Sequence, residues 1–188
     1  RDGEVLGYNT DCKAAMDCLE KALGEVGAQP SPLSGKRVLV LGAGGVARAL
    51  LYGLQRRGAR AIVSSRTRER AEGLASEFGA KSIDWQARHN AQVDILINGT
   101  PIGMHPNVDE TPYNKSYLKP SMLVFDTVYN PESTLLIKEA RSHGCHVITG
   151  VDMFVGQAAL QYLLFTGGEA PFEVMRETLK RVTGPVKY

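Results

Sequence analysis

No apolar run in these 188 residues approaches the roughly 20 that a helix needs to cross a bilayer, so a spanning helix is excluded. Cysteine is scarce. Cys12, Cys18 and Cys145 are odd in number, widely spaced and free of any CxxC pair, which excludes a disulfide frame and a zinc site. That usage implies reduced thiols in a cytosol-like compartment. An excess of one charge is also lacking: 22 Lys+Arg against 20 Asp+Glu leave +2, too little to call for a nucleic-acid or acidic-membrane partner. With the charged share at 22%, disorder is excluded as the main state. The opening Arg1-Asp2-Gly3-Glu4 has no signal-peptide pattern and no initiator Met, which reads as a piece of a longer polypeptide.

What is present is a chain able to bury a core, with 43% hydrophobic residues and 20 glycines. Short β-branched runs at 37–41, 61–65, 81–83, 94–98, 123–126 and 146–149 predict strands. Between them, helical spacing predicts helices at 47–57, 69–78 and 134–143 and a short piece near 86–90. Such alternation means βαβ units, hence an α/β fold with a doubly wound, mainly parallel six-stranded sheet. Helical spacing also marks 12–26, 153–165 and 172–182, and Pro30 and Pro32 among small residues mark 27–35 as a linker. The expected division is 1–34, a connecting helix at the end of another domain; 35–150, the sheet domain; and 151–188, C-terminal helices.

The first predicted strand runs into Gly42-Ala43-Gly44-Gly45-Val46-Ala47 and then a helix, a G-x-G-x-x-A turn in its required setting. Gly42 permits the tight turn, and Gly44 lets the backbone approach a pyrophosphate. Ala47 lets the helix pack closely on the sheet. This is a Rossmann-type dinucleotide site, with the phosphates at the helix start. The second strand ends in Ser64-Ser65-Arg66-Thr67-Arg68-Glu69-Arg70, without the carboxylate that would bind a ribose 2′-OH. Guanidinium groups instead suit a 2′-phosphate, so NADP is expected over NAD. The bland alternative is a solvated basic turn paired with Glu69 and Glu72.

Ligands of such sheets sit at the carboxyl ends of strands, which places Asn98, Thr100, Tyr129 and Gly150–Gln157 around a pocket. With Gly7-Tyr-Asn-Thr-Asp11, the glycine turn, Ser65-Arg66-Thr67, Asn98-Gly-Thr-Pro-Ile-Gly-Met104, Asp126-Thr-Val-Tyr129-Asn-Pro131 and Gly150-Val-Asp-Met153-Phe-Val-Gly-Gln157, the sequence resembles the shikimate dehydrogenase family. The resemblance implies NADPH-dependent reversible reduction of 3-dehydroshikimate to shikimate. It implies Asp11 as one member of a catalytic Lys–Asp pair beside the substrate hydroxyls, Gln157 on another hydroxyl, and Tyr129 near the substrate carboxylate. For the cofactor it implies Gly44, Gly45 and Val46 at the pyrophosphate, with Gly42 and Ser65 in the matching blocks. Arg66, Thr67 and Arg70 would meet the 2′-phosphate, Thr100 the cofactor near its ribose, and Gly150 and Met153 the nicotinamide, with Asn98 also among the cofactor-binding residues.

The family's substrate domain and catalytic lysine match nothing here, and Lys13 is not that lysine. The resemblance therefore implies an upstream substrate domain, possible fusion behind a dehydroquinate dehydratase, and near inactivity of these residues alone. A small-molecule substrate, no metal, no nucleic acid, no membrane and a cytoplasmic setting (plastid in a plant) complete the expectation. Alternatives are an NAD-dependent quinate/shikimate dehydrogenase and a non-catalytic NADP-binding domain. Asp11 would also suit a helix N-cap.

Overall fold

Strands such as Arg37-Val-Leu-Val-Leu41 are apolar at successive positions, so both of their faces must be covered. The computed structural model describes residue 3 and residues 5–183; Arg1, Asp2 and Glu4 of the opening, and 184–188 of the third segment, lie outside the described residues. The strands are β1 (Arg37–Leu41), β2 (Arg60–Ser65), β3 (Lys81–Asp84), β4 (Ile95–Asn98), β5 (Leu123–Asp126) and β6 (His146–Ile148). They form one six-stranded sheet of order β3-β2-β1-β4-β5-β6, every pair parallel. The helices are α1 (Thr10–Leu23), α2 (Gly45–Arg56), α3 (Arg68–Phe78), α4 (Leu135–Ser142), α5 (Gly150–Thr166) and α6 (Phe172–Thr183). Short 3-10 turns occupy Trp85–Asn90 and Lys115–Tyr117.

Alternation along each strand sends side chains to two cores. Val38, Val40, Ile95, Ile97 and Phe125 meet Met16 and Leu19 of α1 and Leu50 and Leu54 of α2. Leu39, Leu41, Leu96 and Val124 meet Leu136 and Ala140 of α4 on the other side. The expected linker 27–35 is tied down rather than loose. Leu33 is fully buried, and buried Glu20 accepts hydrogen bonds from Ser31 Oγ (2.8 Å), Arg57 Nε (2.7 Å) and Gly27 N (3.1 Å). Burial pushes the Glu20 carboxyl upward, but those donors and the Arg57 charge outweigh it and hold the group below its ordinary range.

Three helices start two or more residues earlier than expected, α2 among them at Gly45 rather than 47. α1 begins at Thr10, because Asn9 Oδ1 accepts from Cys12 N at 2.9 Å; the cap is Asn9, and Asp11 stands in the first turn. α5 begins at Gly150 rather than 153, where Asp152 Oδ2 turns back to Thr149 Oγ1 (3.0 Å) and Thr149 N (3.4 Å).

The carboxyl ends of β4 and β5 are joined by a buried polar network. Asn98 Nδ2 donates to Asp126 Oδ1 (2.9 Å) and Ile102 O (3.2 Å), while its Oδ1 accepts from Thr100 N (3.0 Å) and Thr100 Oγ1 (2.7 Å). Asp126 also accepts from Val128 N (3.0 Å) and Thr134 Oγ1 (2.7 Å). Burial dominates these three donors and pushes the Asp126 carboxyl up to about 6.

Two stability measurements test this packing. A Cβ on Gly150 would lie 2.2 Å from Val128 O and 2.6 Å from Thr127 O, so Gly150→Ala should destabilise by about 1–3 kcal/mol in urea unfolding. Gly73 of α3 has open space around it, so Gly73→Ala should stabilise by roughly 0.5–1 kcal/mol. For Asp126 the folded form holds its proton more tightly than the unfolded one. Its stabilising share is therefore fully present below about pH 4 and is lost as pH rises through about 6. Asp126→Asn should remove that slope, on the order of 3 kcal/mol in wild type minus variant between pH 4 and 7.

Candidate active site

The site is built where β1, β2 and β4 end side by side. Gly42 has φ +106, and a Cβ there would fall 2.7 Å from Gly99 O and 3.2 Å from the Thr100 methyl. Only glycine fits this approach of the two loops. Gly42 N donates to Ser64 O (2.8 Å) and Gly99 N to Leu41 O (2.8 Å), so the three strand ends are fastened together. Gly44 then caps α2 without a side-chain oxygen, which leaves the first-turn amides of Gly45, Val46 and Ala47 without an intrahelical acceptor. The space above Gly44 and Gly45 is open. Unsatisfied donors with the helix dipole behind them make an anion site.

A cleft of about 210 Å³ lies over this turn, lined by Gly42, Ala43, Gly44, Ser65, Arg66, Thr67, Arg70, Trp85, Gly99, Thr100 and Pro101. It gathers the glycine turn and the basic turn on one surface. Ser65 Oγ accepts from Thr67 N at 3.2 Å, which shapes the turn that carries Arg66. The three neighbouring arginines behave differently. Arg68 pairs with Glu72 (2.7 Å) and Asp84 (3.5 Å), and these carboxylates raise its pKa. Arg66 and Arg70 form no ion pair among the described residues, which removes the pairing with Glu69 and Glu72 that a merely solvated turn would use. Arg66 and Arg70 therefore line the cleft with no carboxylate among the described residues claiming their guanidinium groups.

Other residues named from the sequence stand elsewhere. Asn98 lies buried beneath the cleft, and both its amide hydrogens and its oxygen are committed to the network described above. Its side chain shapes the 98–102 loop. Gly45 turns to a separate hollow of about 720 Å³ with Tyr8, Asn9, Cys12 and Arg48, while Val46 packs on the core. Gly150 and Met153 are buried at the start of α5.

The substrate candidates gather along α5. Tyr129 packs on Phe154 in a tilted pair, with ring centroids 4.5 Å apart and planes inclined by 37°. A Cβ on Gly156 would sit 3.4 Å from Ala14 Cβ, and Gln161 Nε2 donates to Thr10 Oγ1 at 3.1 Å. The start of α1, with Asp11, therefore lies against the middle of α5, with Gln157. Asp11 is half-buried in the first turn of α1, and its carboxylate has no hydrogen-bond partner among the described residues. Lys13 is paired with Asp17 at 2.8 Å. Trp85 carries no signal in the sequence analysis; Phe154 enters it only within the Gly150–Gln157 segment, and Thr134 only as the start of a predicted helix. For Thr134 the available signal was its position just before a helix, that of a cap.

Residues 25–127 match the family described as "Shikimate / quinate 5-dehydrogenase", and residues 150–180 match "Shikimate 5'-dehydrogenase C-terminal domain". The "Bifunctional 3-dehydroquinate dehydratase/shikimate dehydrogenase, chloroplastic" of Arabidopsis thaliana is 41% identical over 96% of this chain and 31% of its own length. The "Shikimate dehydrogenase (NADP(+))" of Methanosarcina mazei is 40% identical over 95% of this chain and 65% of its own. A shikimate dehydrogenase solved in complex with NADP+ superposes with a TM-score of 0.85 at 34% identity, covering 98% of this chain and 65% of that one. The chain thus spans just under two thirds of the Methanosarcina enzyme and under one third of the plant one. With a family match that runs through the glycine turn, the basic turn and the 98–104 loop, the chain belongs to the shikimate/quinate dehydrogenase family.

Proposed function

We propose that this chain is the cofactor-binding part of an NADP-dependent shikimate dehydrogenase, which reversibly reduces 3-dehydroshikimate to shikimate. The observation that carries this reading is the cleft that brings the Gly42–Gly44 turn, at the N-terminus of α2, onto one surface with Arg66 and Arg70, which form no ion pair among the described residues. Diphosphate oxygens suit the Gly44–Val46 amides, and a 2′-phosphate suits Arg66, Thr67 and Arg70. β2 ends in Ser65 with no carboxylate to repel that phosphate. With NAD, both guanidinium groups would have no anion to meet. NADP as named for the Methanosarcina relative and the solved neighbour is consistent with this choice.

In this reading residues 35–150 hold the cofactor, and residues 151–188 pack back toward a substrate domain upstream of 1–34. Bound NADPH would supply the hydride. The chain's own contribution is orientation: Asp11 accepts from a substrate hydroxyl, Gln157 hydrogen-bonds another, and Tyr129 borders the substrate carboxylate. A proton must reach the carbonyl oxygen as hydride arrives, and a positioned acid typically contributes ~10²–10⁴ in rate. Lys13 is held by Asp17 and does not fill that role. The acid is therefore assigned to the upstream domain.

Two measurements test the reading. By calorimetry, Arg66→Ala should weaken NADP binding by about 1.5–3 kcal/mol and NAD binding little; equal weakening of both contradicts the 2′-phosphate assignment. The 188-residue chain should bind NADP yet show almost no shikimate-dependent NADP+ reduction. Joined to a substrate domain it should turn over, and Asp11→Asn should then lower kcat by about 10² or more with NADP affinity unchanged. A non-catalytic NADP-binding domain would show no such loss.

A further inference from the structure

We infer that Trp85 is a binding residue of the cofactor cleft, the aromatic platform on which the adenine ring of the dinucleotide stacks. The assignment rests on the cofactor reading above and extends it to a residue outside the matched motifs. The cleft has two charged functions already allotted, the α2 amides and the Arg66–Arg70 pair. What remains of a dinucleotide at this end is a flat, uncharged heteroaromatic ring. Trp85 lines the same cleft, together with Pro101, and these two supply its apolar wall.

The indole is also held in place before any ligand arrives. The Arg88 guanidinium lies 4.1 Å from its ring centroid, and Arg88 is not among the residues lining the cleft. Arg88 further donates to Trp85 O and, through Nε, to Pro112 O at 2.7 Å. Trp85 is half-buried: it follows β3, packs on the second core and also lines the cleft. A rigid aromatic face loses little conformational entropy on stacking, and base–aromatic stacking depends on the π-face alone. Packing explains why Trp85 is anchored; it does not explain an indole lining the same cleft as two unpaired guanidinium groups.

Trp85 is the only tryptophan of the chain, so its emission reports this one place. Titration of the 188-residue chain with adenosine 2′,5′-bisphosphate should change that emission saturably, whereas nicotinamide mononucleotide should leave it unchanged. By calorimetry, Trp85→Ala should weaken binding of the bisphosphate by about 5- to 150-fold. Trp85→Phe, which keeps a π-face and most of the packing, should cost under about threefold. If the alanine variant does not fold, the phenylalanine variant and the wild-type emission decide. Unmoved emission while calorimetry records bisphosphate binding, or wild-type affinity in Trp85→Ala, overturns the assignment and leaves the cofactor reading standing. Absence of any binding of NADP and of the bisphosphate overturns both.

Discussion

The approach of the Gly42 backbone to Gly99 is the constraint on which the site depends. β1 lies between β2 and β4, and the loops leaving β1 and β4 must pass each other at closer range than any side chain permits. Once they do, Leu41 O and Gly42 N find their partners in Gly99 N and Ser64 O. Three chain segments far apart in sequence then open onto one cleft. Behind it the Asn98–Asp126–Thr134 network holds the β4 and β5 ends together, so the cleft rests on a buried polar floor rather than on mobile loops.

Helical geometry explains why one arginine of the basic turn is consumed and two are free. Arg68 opens α3 and finds Glu72 four residues on, the spacing at which side chains on a helix meet. Arg70 has Gly73 and Leu74 at the corresponding positions, and Arg66 precedes the helix altogether. Their freedom follows from the placement of neighbours along a 3.6-residue period, and it leaves the positive potential of the turn concentrated over the glycine loop.

Much of this architecture was legible because parallel strands with both faces covered read as continuous apolar runs. Even β3, with its weak Lys81-Ser-Ile-Asp84, formed where expected, recruited by the edge of β2. Helix starts were less legible because capping is decided by single side chains: Asn9 outcompeted Asp11, and Thr149 with Asp152 drew α5 back to Gly150. Asn98 shows the deeper difficulty. A polar residue at a strand end looks like a ligand contact in sequence, and only its hydrogen bonds to Asp126, Thr100 and Ile102 reveal that it also supports the loop. Glycine has the same ambiguity, for Gly44 leaves room above a helix whereas Gly150 is required by a carbonyl of its own fold. The 27–35 segment does join α1 to β1 as its composition suggests, but nothing in its prolines announces that Glu20 will hold it.

The outer turns of α5 have a practical consequence. Leu163, Leu164 and Phe165 are 49%, 48% and 88% exposed at the end of a 17-residue helix whose first turns are buried. Water in contact with such a greasy tip drives neighbouring molecules to adhere as their concentration rises. Because that drive weakens on cooling, a cold and dilute solution is the kinder one for this chain.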